Sequence, residues 1–595
     1  MVSLSAEQEN AISTTGDVLL QACPGSGKTL TLVYKIAEEL KKVSSHREFV
    51  IALTYTNVAA DEILERVEKL GVDTSQLWVG TIHSFCLTWI LRPYSHLHPD
   101  LNGSFKIVDI YQSEQLMKEL AEQRPGSLSH YDCQYFATPG GFVLRKDPGQ
   151  QKLVAAQETM NVYREALLSE NKVDFEMILQ FSYDLLLDRP LIAKRLAHLF
   201  RIIAVDEYQD TREIQYTIIS SILKADKTKP DLFLVGDPNQ QIFSSLGGVA
   251  KSINELQLLT GRTIKKLTLT NNYRSSQQVV DFFEKFSCQS IRINAVGNNQ
   301  SYRGDIIHDT SITKSNLVPK ISEIIKFNVE ELGIPPERIC IVAPWRNHLV
   351  SITRALVQEL PDYSFSGPGL CPFGENRDNF WYKVARIALT SSRPDMYRKR
   401  LRWAQDILDA LVEFDETADL TPREFLKIAN TVTIEQEIGS AYLQSYFTTL
   451  FELLKLNISP DTELSIQRDG FFDRMTSRIE YIRSQENVNI DTLQLFRSFF
   501  DPISGITIST IHGIKGREFD SVIAFGLLEG YVPHYTEPES SRDRVARTLM
   551  YVVASRARKN LYLISEIRRT RSQPSKIFSL TGISDYTSRT IHLAG

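Results

Sequence analysis

The stretch Gln21-Ala22-Cys23-Pro24-Gly25-Ser26-Gly27-Lys28-Thr29-Leu30 carries the residue types needed to hold a polyphosphate. Backbone N–H groups at the head of a helix can face phosphate oxygens. Gly25 and Gly27 let the backbone turn and approach, Lys28 neutralises the terminal phosphates, and the Thr29 hydroxyl can ligate Mg²⁺. The phosphates would lie against Ala22, Cys23, Pro24, Gly25, Ser26, Gly27, Lys28 and Thr29, with Ala22 standing where such loops usually begin with glycine. A second cluster, Asp206-Glu207-Tyr208-Gln209-Asp210, follows the apolar run Arg201–Val205. Two carboxylates at the end of a buried strand are costly unless a cation or a reacting water meets them. Asp206 suits the water shell of Mg²⁺, and Glu207 suits the base that orients and deprotonates an attacking water. Gln240, in Gly236-Asp237-Pro238-Asn239-Gln240-Gln241, could hydrogen-bond a γ-phosphate. The set describes hydrolysis of a nucleoside triphosphate with Mg²⁺ and disfavours a kinase.

Positioning these groups requires parallel strands buried on both faces. Short apolar runs at Val18–Leu20, Phe49–Leu53, Arg201–Val205 and Leu232–Val235 have that pattern. Helical spacing lies between them, as in Leu32, Val33, Ile36, Ala37 and Leu40. A second series follows at Ile264–Leu269, Ile339–Val342, Ile506–Ser509, Ser521–Phe525 and Leu561–Ile564, so two α/β sheets are expected. Residues 103–189 and 393–503 break the alternation and read as mostly helical insertions, one in each sheet domain.

The bulk numbers exclude several classes. A chain of 595 residues is too long for one core, and its 42% hydrophobic and 23% charged residues are ordinary for globular protein. No apolar run of membrane-spanning length appears, and the start MVSLSAEQEN has no signal-peptide pattern. The six cysteines are scattered without a CxxC pair, which disfavours a zinc ribbon or iron–sulfur cluster and fits a reduced, cytoplasmic protein. The net charge of −5 does not mark a nucleic-acid binder, although a local groove can hold DNA on an acidic protein. The clusters Arg398–Arg402 and Arg568–Arg571 read as solvated surface charge.

Taken in order, the motifs resemble the UvrD/Rep/PcrA branch of superfamily 1 DNA helicases. They are Leu4-Ser-Ala-Glu-Gln8, the phosphate loop, Leu53-Thr-Tyr-Thr-Asn57-Val-Ala-Ala60 and Gly80-Thr-Ile-His83-Ser84. Val205–Thr211, Gly236–Phe243, Asn272-Tyr-Arg-Ser275, Thr510–Phe519 and Tyr551–Ala557 complete the series. The resemblance implies an α/β fold of two RecA-like P-loop domains, 1A and 2A, each with a helical insertion, and ATP as the nucleotide. On that basis 1A is 1–102 with 190–268, 1B is 103–189, 2A is 269–392 with 504–595, and 2B is 393–503. It implies that Gln8 reads the adenine, Tyr273 stacks on it and Glu518 accepts from the ribose. Arg274 and Arg556, from the second sheet, would reach the γ-phosphate across a cleft. Tyr55, Thr56, Asn57, His83, Phe243, Thr510 and His512 would touch a single strand, moved 3′→5′ by alternating grip.

Three positions depart from the family pattern. Leu30 replaces an Arg that packs over the base, Val58 replaces a Lys near the strand, and Ser245 replaces a stacking Trp. These changes bear on processive unwinding more than on hydrolysis or strand binding. The 2B-like insertion is short for the family, and the few residues after 582 leave no room in this sequence for a fused nuclease. Partners implied are single-stranded DNA or a 3′-tailed duplex, no membrane, and a separate nuclease or effector protein as in Gabija-type bacterial antiviral systems; DNA repair is the other setting. Two alternatives stand beside the motor: a DNA-responsive ATPase switch that regulates a nuclease, and an RNA-directed enzyme of the same superfamily.

Overall fold

Six runs rich in aliphatic residues form the first sheet in the computed structural model. They are Val18–Ala22 (β1), Phe49–Thr54 (β2), Leu77–Thr81 (β3), Phe200–Asp206 (β4), Asp231–Gly236 (β5) and Lys265–Leu269 (β6). All pairings are parallel, in the order β6-β1-β5-β4-β2-β3. The central strands are buried on both faces, while the edge strand β6 exposes Lys265 and Lys266, charges that discourage further pairing. The run at Ile264–Leu269 therefore completes this sheet and does not open the second series, as had been expected. Register sets Gln21 against Gly236 and Asp206 against Val235, so the carboxyl ends of β1, β4 and β5 lie side by side. In open α/β sheets that edge is where ligands bind.

Alternate residues feed two cores. Val18, Leu20, Val50, Ile202 and Phe233 pack with Leu32, Val33, Ile36 and Leu40 of the helix Lys28–Lys41. Leu19, Ile51, Ile203 and Leu234 face the other way, into a core shared with Met117, Met160, Tyr163 and Met177 of the first insertion. The insertion is mainly the helices Ile110–Glu122, Gln150–Ser169 and Phe175–Asp188. It also holds an antiparallel hairpin, Tyr135–Thr138 with Gly141–Leu144, whose turn ends at Gly141 with φ +105°. Asp174 fixes the hairpin to a helix. Its side chain caps Met177 N–H at 2.9 Å and accepts from the Tyr135 hydroxyl at 2.5 Å.

The second sheet comprises Ile306–Asp309 (β7), Ile339–Ala343 (β8), Phe365–Ser366 (β9), Ile506–Thr510 (β10), Phe519–Ala524 (β11) and Ala557–Ile564 (β12). It too is parallel, in the order β7-β12-β11-β8-β10-β9. The helices from Phe380–Ala388 to Leu493–Phe500 form the second insertion around a core of their own, rich in Phe and Tyr. The cluster Arg398–Arg402 is not simply surface charge. Arg400 is buried and donates to the Ile387 carbonyl at 2.9 Å, to Thr390 Oγ1 at 2.7 Å and to Asn430 Oδ1 at 2.7 Å, stapling three segments.

The structure describes residues 3–580 apart from 102, 109, 125–126, 290–291, 371–372, 374–378, 395, 415–418, 457–458, 460–461, 487–488, 501–504 and 568–571. The Arg568–Arg571 cluster and Cys371 thus lie outside the described residues. No described helix is long and apolar enough to cross a membrane. The chain divides into two compact units, one of residues 1–302 with 547–551 and one of 303–546 with 552–595. Segment 269–302, expected to open the second sheet domain, groups with the first unit, because Asn271–Asn272 pairs with Asn294–Ala295 and is tied to the phosphate loop.

Candidate nucleotide site and strand platform

β1 runs directly into the phosphate loop, and Gly27 caps the helix Lys28–Lys41 without a side-chain bond, leaving first-turn N–H groups for an anion. Gly25 and Gly27 have φ of +71° and +81°. A Cβ on Gly25 would come within 2.7 Å of Arg274 Cβ, and one on Gly27 within 2.5 Å of Gln8 Nε2. The loop is braced from inside: Ser26 Oγ donates to the Cys23 carbonyl at 2.7 Å, and Gln8 Nε2 donates to the Ser26 carbonyl at 2.9 Å. Gln8 closes a capping box with Ser5 and is buried, so its amide stands against the loop.

Lys28 Nζ lies 3.2 Å from Glu207 Oε1, joining the loop to the end of β4. Glu207 adopts a left-handed backbone, φ +49°, uncommon for a residue with a Cβ and a mark of local strain. Its N–H donates to Asp206 Oδ1 at 3.0 Å. Burial raises the Asp206 pKa, and the Glu207 charge adds to the rise while Lys28 opposes it. A divalent cation would remove that penalty, and the Asp206 carboxylate and Thr29 hydroxyl are hard oxygen donors suited to one. From Glu207 a hydrogen-bond chain continues. Gln209 Nε2 donates to Glu207 Oε2 at 2.5 Å, and Gln209 Oε1 accepts from Asp237 N–H at 3.0 Å. Asp237 Oδ2 then accepts from Gln240 Nε2 at 2.7 Å. Gln209, Asp237 and Gln240 are all buried.

The segment Asn272–Ser275 lies on the loop. Asn272 Nδ2 donates to the Pro24 carbonyl at 2.7 Å, and Tyr273 N–H donates to the Gly25 carbonyl at 2.8 Å. Asn272 Oδ1 accepts from Arg274 and Ser275 N–H, which fixes the backbone that carries the arginine. Tyr273 and Arg274 are therefore parts of the first unit and do not come from the second sheet. The Tyr273 ring is 41% exposed and free of a core role.

A second assembly follows β2 and the loop after Gln240. Tyr55 and Phe243 stack with centroids 4.6 Å apart and planes 25° apart. Burial of its hydroxyl pushes the Tyr55 pKa up to about 12, under the charges of Asp210, Arg212 and Arg145. Thr56 caps the helix Asn57–Lys69 through Ala59 N–H at 3.2 Å, and Thr56, Asn57 and Val58 are exposed beside the stack. His83 packs edge-on to Phe175 and is held neutral, its pKa lowered to about 4 chiefly by burial.

Comparison with known proteins agrees with this geometry. Residues 4–258 match the UvrD/REP helicase N-terminal domain and residues 474–567 the UvrD-like helicase C-terminal domain. The chain belongs to the UvrD-like helicase family. It is 24% identical to the ATP-dependent DNA helicase PcrA of Leuconostoc citreum, over 95% of this chain and 82% of that protein. It is also 24% identical to the ATP-dependent DNA helicase UvrD1 of Mycobacterium leprae, over 95% and 83%. The two sheets are the RecA-like domains of a UvrD-like helicase, and the protein is an ATP-hydrolysing enzyme.

In the second unit of this UvrD-like helicase, Arg556 is buried. It donates to the Val552 carbonyl at 3.2 Å, the Arg517 carbonyl at 3.3 Å and Ser555 Oγ at 2.9 Å. Glu518 pairs with Arg558. Thr510 Oγ1 accepts from Gly513 N–H at 3.1 Å, and His512 is exposed. Two functional candidates were quoted in the motifs without a role. Gln209 links the Glu207 carboxylate to Asp237, and its signal was an amide two residues beyond that candidate base. Tyr551 is a buried phenol that hydrogen-bonds Asp237 and Asn239 in the first unit, and nothing in its helical spacing distinguished it from packing.

Proposed function

We propose that this protein couples ATP hydrolysis to 3′→5′ movement along single-stranded DNA. The observation that carries the reading is the continuous chain from Lys28 and Glu207 through Gln209 to Asp237 and Gln240, whose loop continues to Phe243 on the Tyr55 stack. This chain would carry a change at the Glu207 carboxylate to an aromatic surface suited to stacking bases. The relatives' names, ATP-dependent DNA helicases, support the same substrate, and the direction is that implied by the family resemblance.

In the hydrolytic step the phosphates draw Lys28 away from Glu207, freeing that carboxylate as a base. Glu207 accepts a proton from water as the water oxygen bonds to the γ-phosphorus. The bond from that phosphorus to the bridging oxygen breaks, giving ADP and inorganic phosphate. Thr29 and Asp206 would hold Mg²⁺, which would supply positive charge to the phosphates. Gln240 reports the γ-phosphate and Arg274 stabilises charge on the transferring group, a role the family resemblance also implies for Arg556. Tyr273 and Gln8 bind the adenine, and the family resemblance implies Glu518 for the ribose. Asn57 and His83 contact the strand along with Tyr55, Thr56 and Phe243, and the family resemblance implies Thr510 and His512 as further contacts.

ATP hydrolysis measured alone, with single-stranded DNA, with a tailed duplex and with RNA tests the reading. Strong stimulation by single-stranded DNA that is lost in Lys28→Ala is expected, as is displacement of a duplex with a 3′ tail but not one with a 5′ tail. One hydrolysis rate under every condition would sink the motor. Equal unwinding from both tails would sink the direction alone.

A further inference from the structure

We propose that Arg145, at the foot of the hairpin in the first insertion, contacts a backbone phosphate of the strand that stacks on Tyr55 and Phe243. The inference rests on the single-strand reading above and adds a residue that no matched motif contains. Arg145 follows the strand Gly141–Leu144, and its N–H donates to the Gln134 carbonyl at 2.7 Å, so the hairpin ladder fixes its backbone. Its guanidinium lies over the Phe136 ring, 5.4 Å from the centroid, and the Arg212 guanidinium lies over the same ring at 4.5 Å.

The two arginines differ in how their charge is used. Arg212 makes a bidentate pair with Glu176 at 2.8 and 2.9 Å and donates to the Ala137 carbonyl at 3.2 Å, so its charge is neutralised inside the protein. Arg145 has one weak partner, the Gln134 side-chain oxygen at 3.4 Å. Its Nε is buried without a hydrogen-bond partner, and no carboxylate stands within ion-pair distance of it among the described residues. The result is a planar cation on an aromatic clamp, pre-organised and unneutralised, which suits a phosphate.

Position supplies the strand. Arg212 bridges to Gly248 and lies 3.4 Å from where a Cβ of Gly247 would be, so the Arg212–Phe136–Arg145 stack is anchored on the loop that begins at Phe243. Arg145 is also one of the three charges acting on the Tyr55 hydroxyl. The platform needs such a cation. Val58, exposed beside Tyr55, provides none, and the whole chain carries a charge of −5. Bases that stack on Tyr55 leave their phosphates at the margin of the stack, toward the loop on which the Arg212–Phe136–Arg145 stack is anchored.

The test is fluorescence anisotropy of a labelled oligothymidylate with the full chain across a salt series. Arg145→Met keeps the stem on Phe136 and removes the charge. It is expected to weaken binding about 5- to 20-fold and to reduce the slope of log K against log salt by about 0.7, one phosphate on a single strand. Arg145→Lys should restore the slope with part of the affinity. Lys118→Gln, which removes an exposed cation of the same insertion, should leave the slope as in wild type. Melting curves check that each variant is folded. A wild-type slope in folded Arg145→Met overturns the proposal, as does an equal change in Lys118→Gln. Wild type that fails to bind the oligonucleotide overturns the single-strand reading itself.

Discussion

A methyl group on Gly27 would meet Nε2 of Gln8 at 2.5 Å in a backbone conformation, φ +81°, that alanine rarely adopts. Gly27→Ala is accordingly expected to lose ATP binding, read by fluorescent-nucleotide titration, because both the loop and the Gln8 brace must shift. Glu207→Gln keeps the side-chain shape but cannot accept the proton, so kcat should fall by about 10²- to 10⁴-fold while nucleotide still binds. His83 yields a prediction of another kind. Its folded pKa of about 4 lies below the ordinary value of 6.5, so acid protonates the unfolded chain first. The stability it contributes is complete above pH 6.5 and is lost as pH falls toward 4. Melting temperature should drop across that window, and His83→Gln should flatten part of the drop; an unchanged profile would mean that the ring is solvated.

At the scale of elements, the Tyr55–Phe243 stack joins the end of β2 to the loop beyond β5. Tyr55→Ala or Phe243→Ala should weaken oligothymidylate binding by about 1–3 kcal/mol, one stacking contact, in an anisotropy titration. Parallel strands and the phosphate loop were legible because their chemistry is local: a buried aliphatic run, two glycines, a lysine and a helix. The hairpin at Tyr135–Leu144 was not. Its strands are four residues long, and what holds it is remote, namely Asp174 on Tyr135 and Arg212 on Phe136. Arg400 was misread for the same reason, since a run of basic residues does not reveal which one turns inward. Removing its buried bonds in Arg400→Ala should cost about 3 kcal/mol or more, measured by denaturant unfolding.

For the whole molecule, each unit has hydrophobic cores of its own, one pair built on the first sheet and one on the second sheet and its insertion. Unfolding should therefore depart from two-state behaviour, with a calorimetric enthalpy larger than the van't Hoff value. ATP at about 100 times its dissociation constant should add about 2.7 kcal/mol to the transition of the unit that carries the phosphate loop, and Lys28→Ala should abolish that increment. A single ATP-insensitive transition would contradict this. The division at residue 302 escaped the sequence because the bonds of Asn272 and Tyr273 to Pro24 and Gly25 join positions nearly 250 residues apart, which no local pattern encodes.

The left-handed backbone at Glu207 sets chemistry against heritable robustness. Asparagine and glycine relax at φ +49°, glutamate does not, and only its carboxylate can accept the proton in the proposed hydrolysis. A lineage freed from selection on turnover is thus expected to surrender position 207 early, and to fold at least as well afterwards. A mutational library scored for folding alone would show it: glycine and asparagine enriched at 207, against depletion under a screen for ATP consumption.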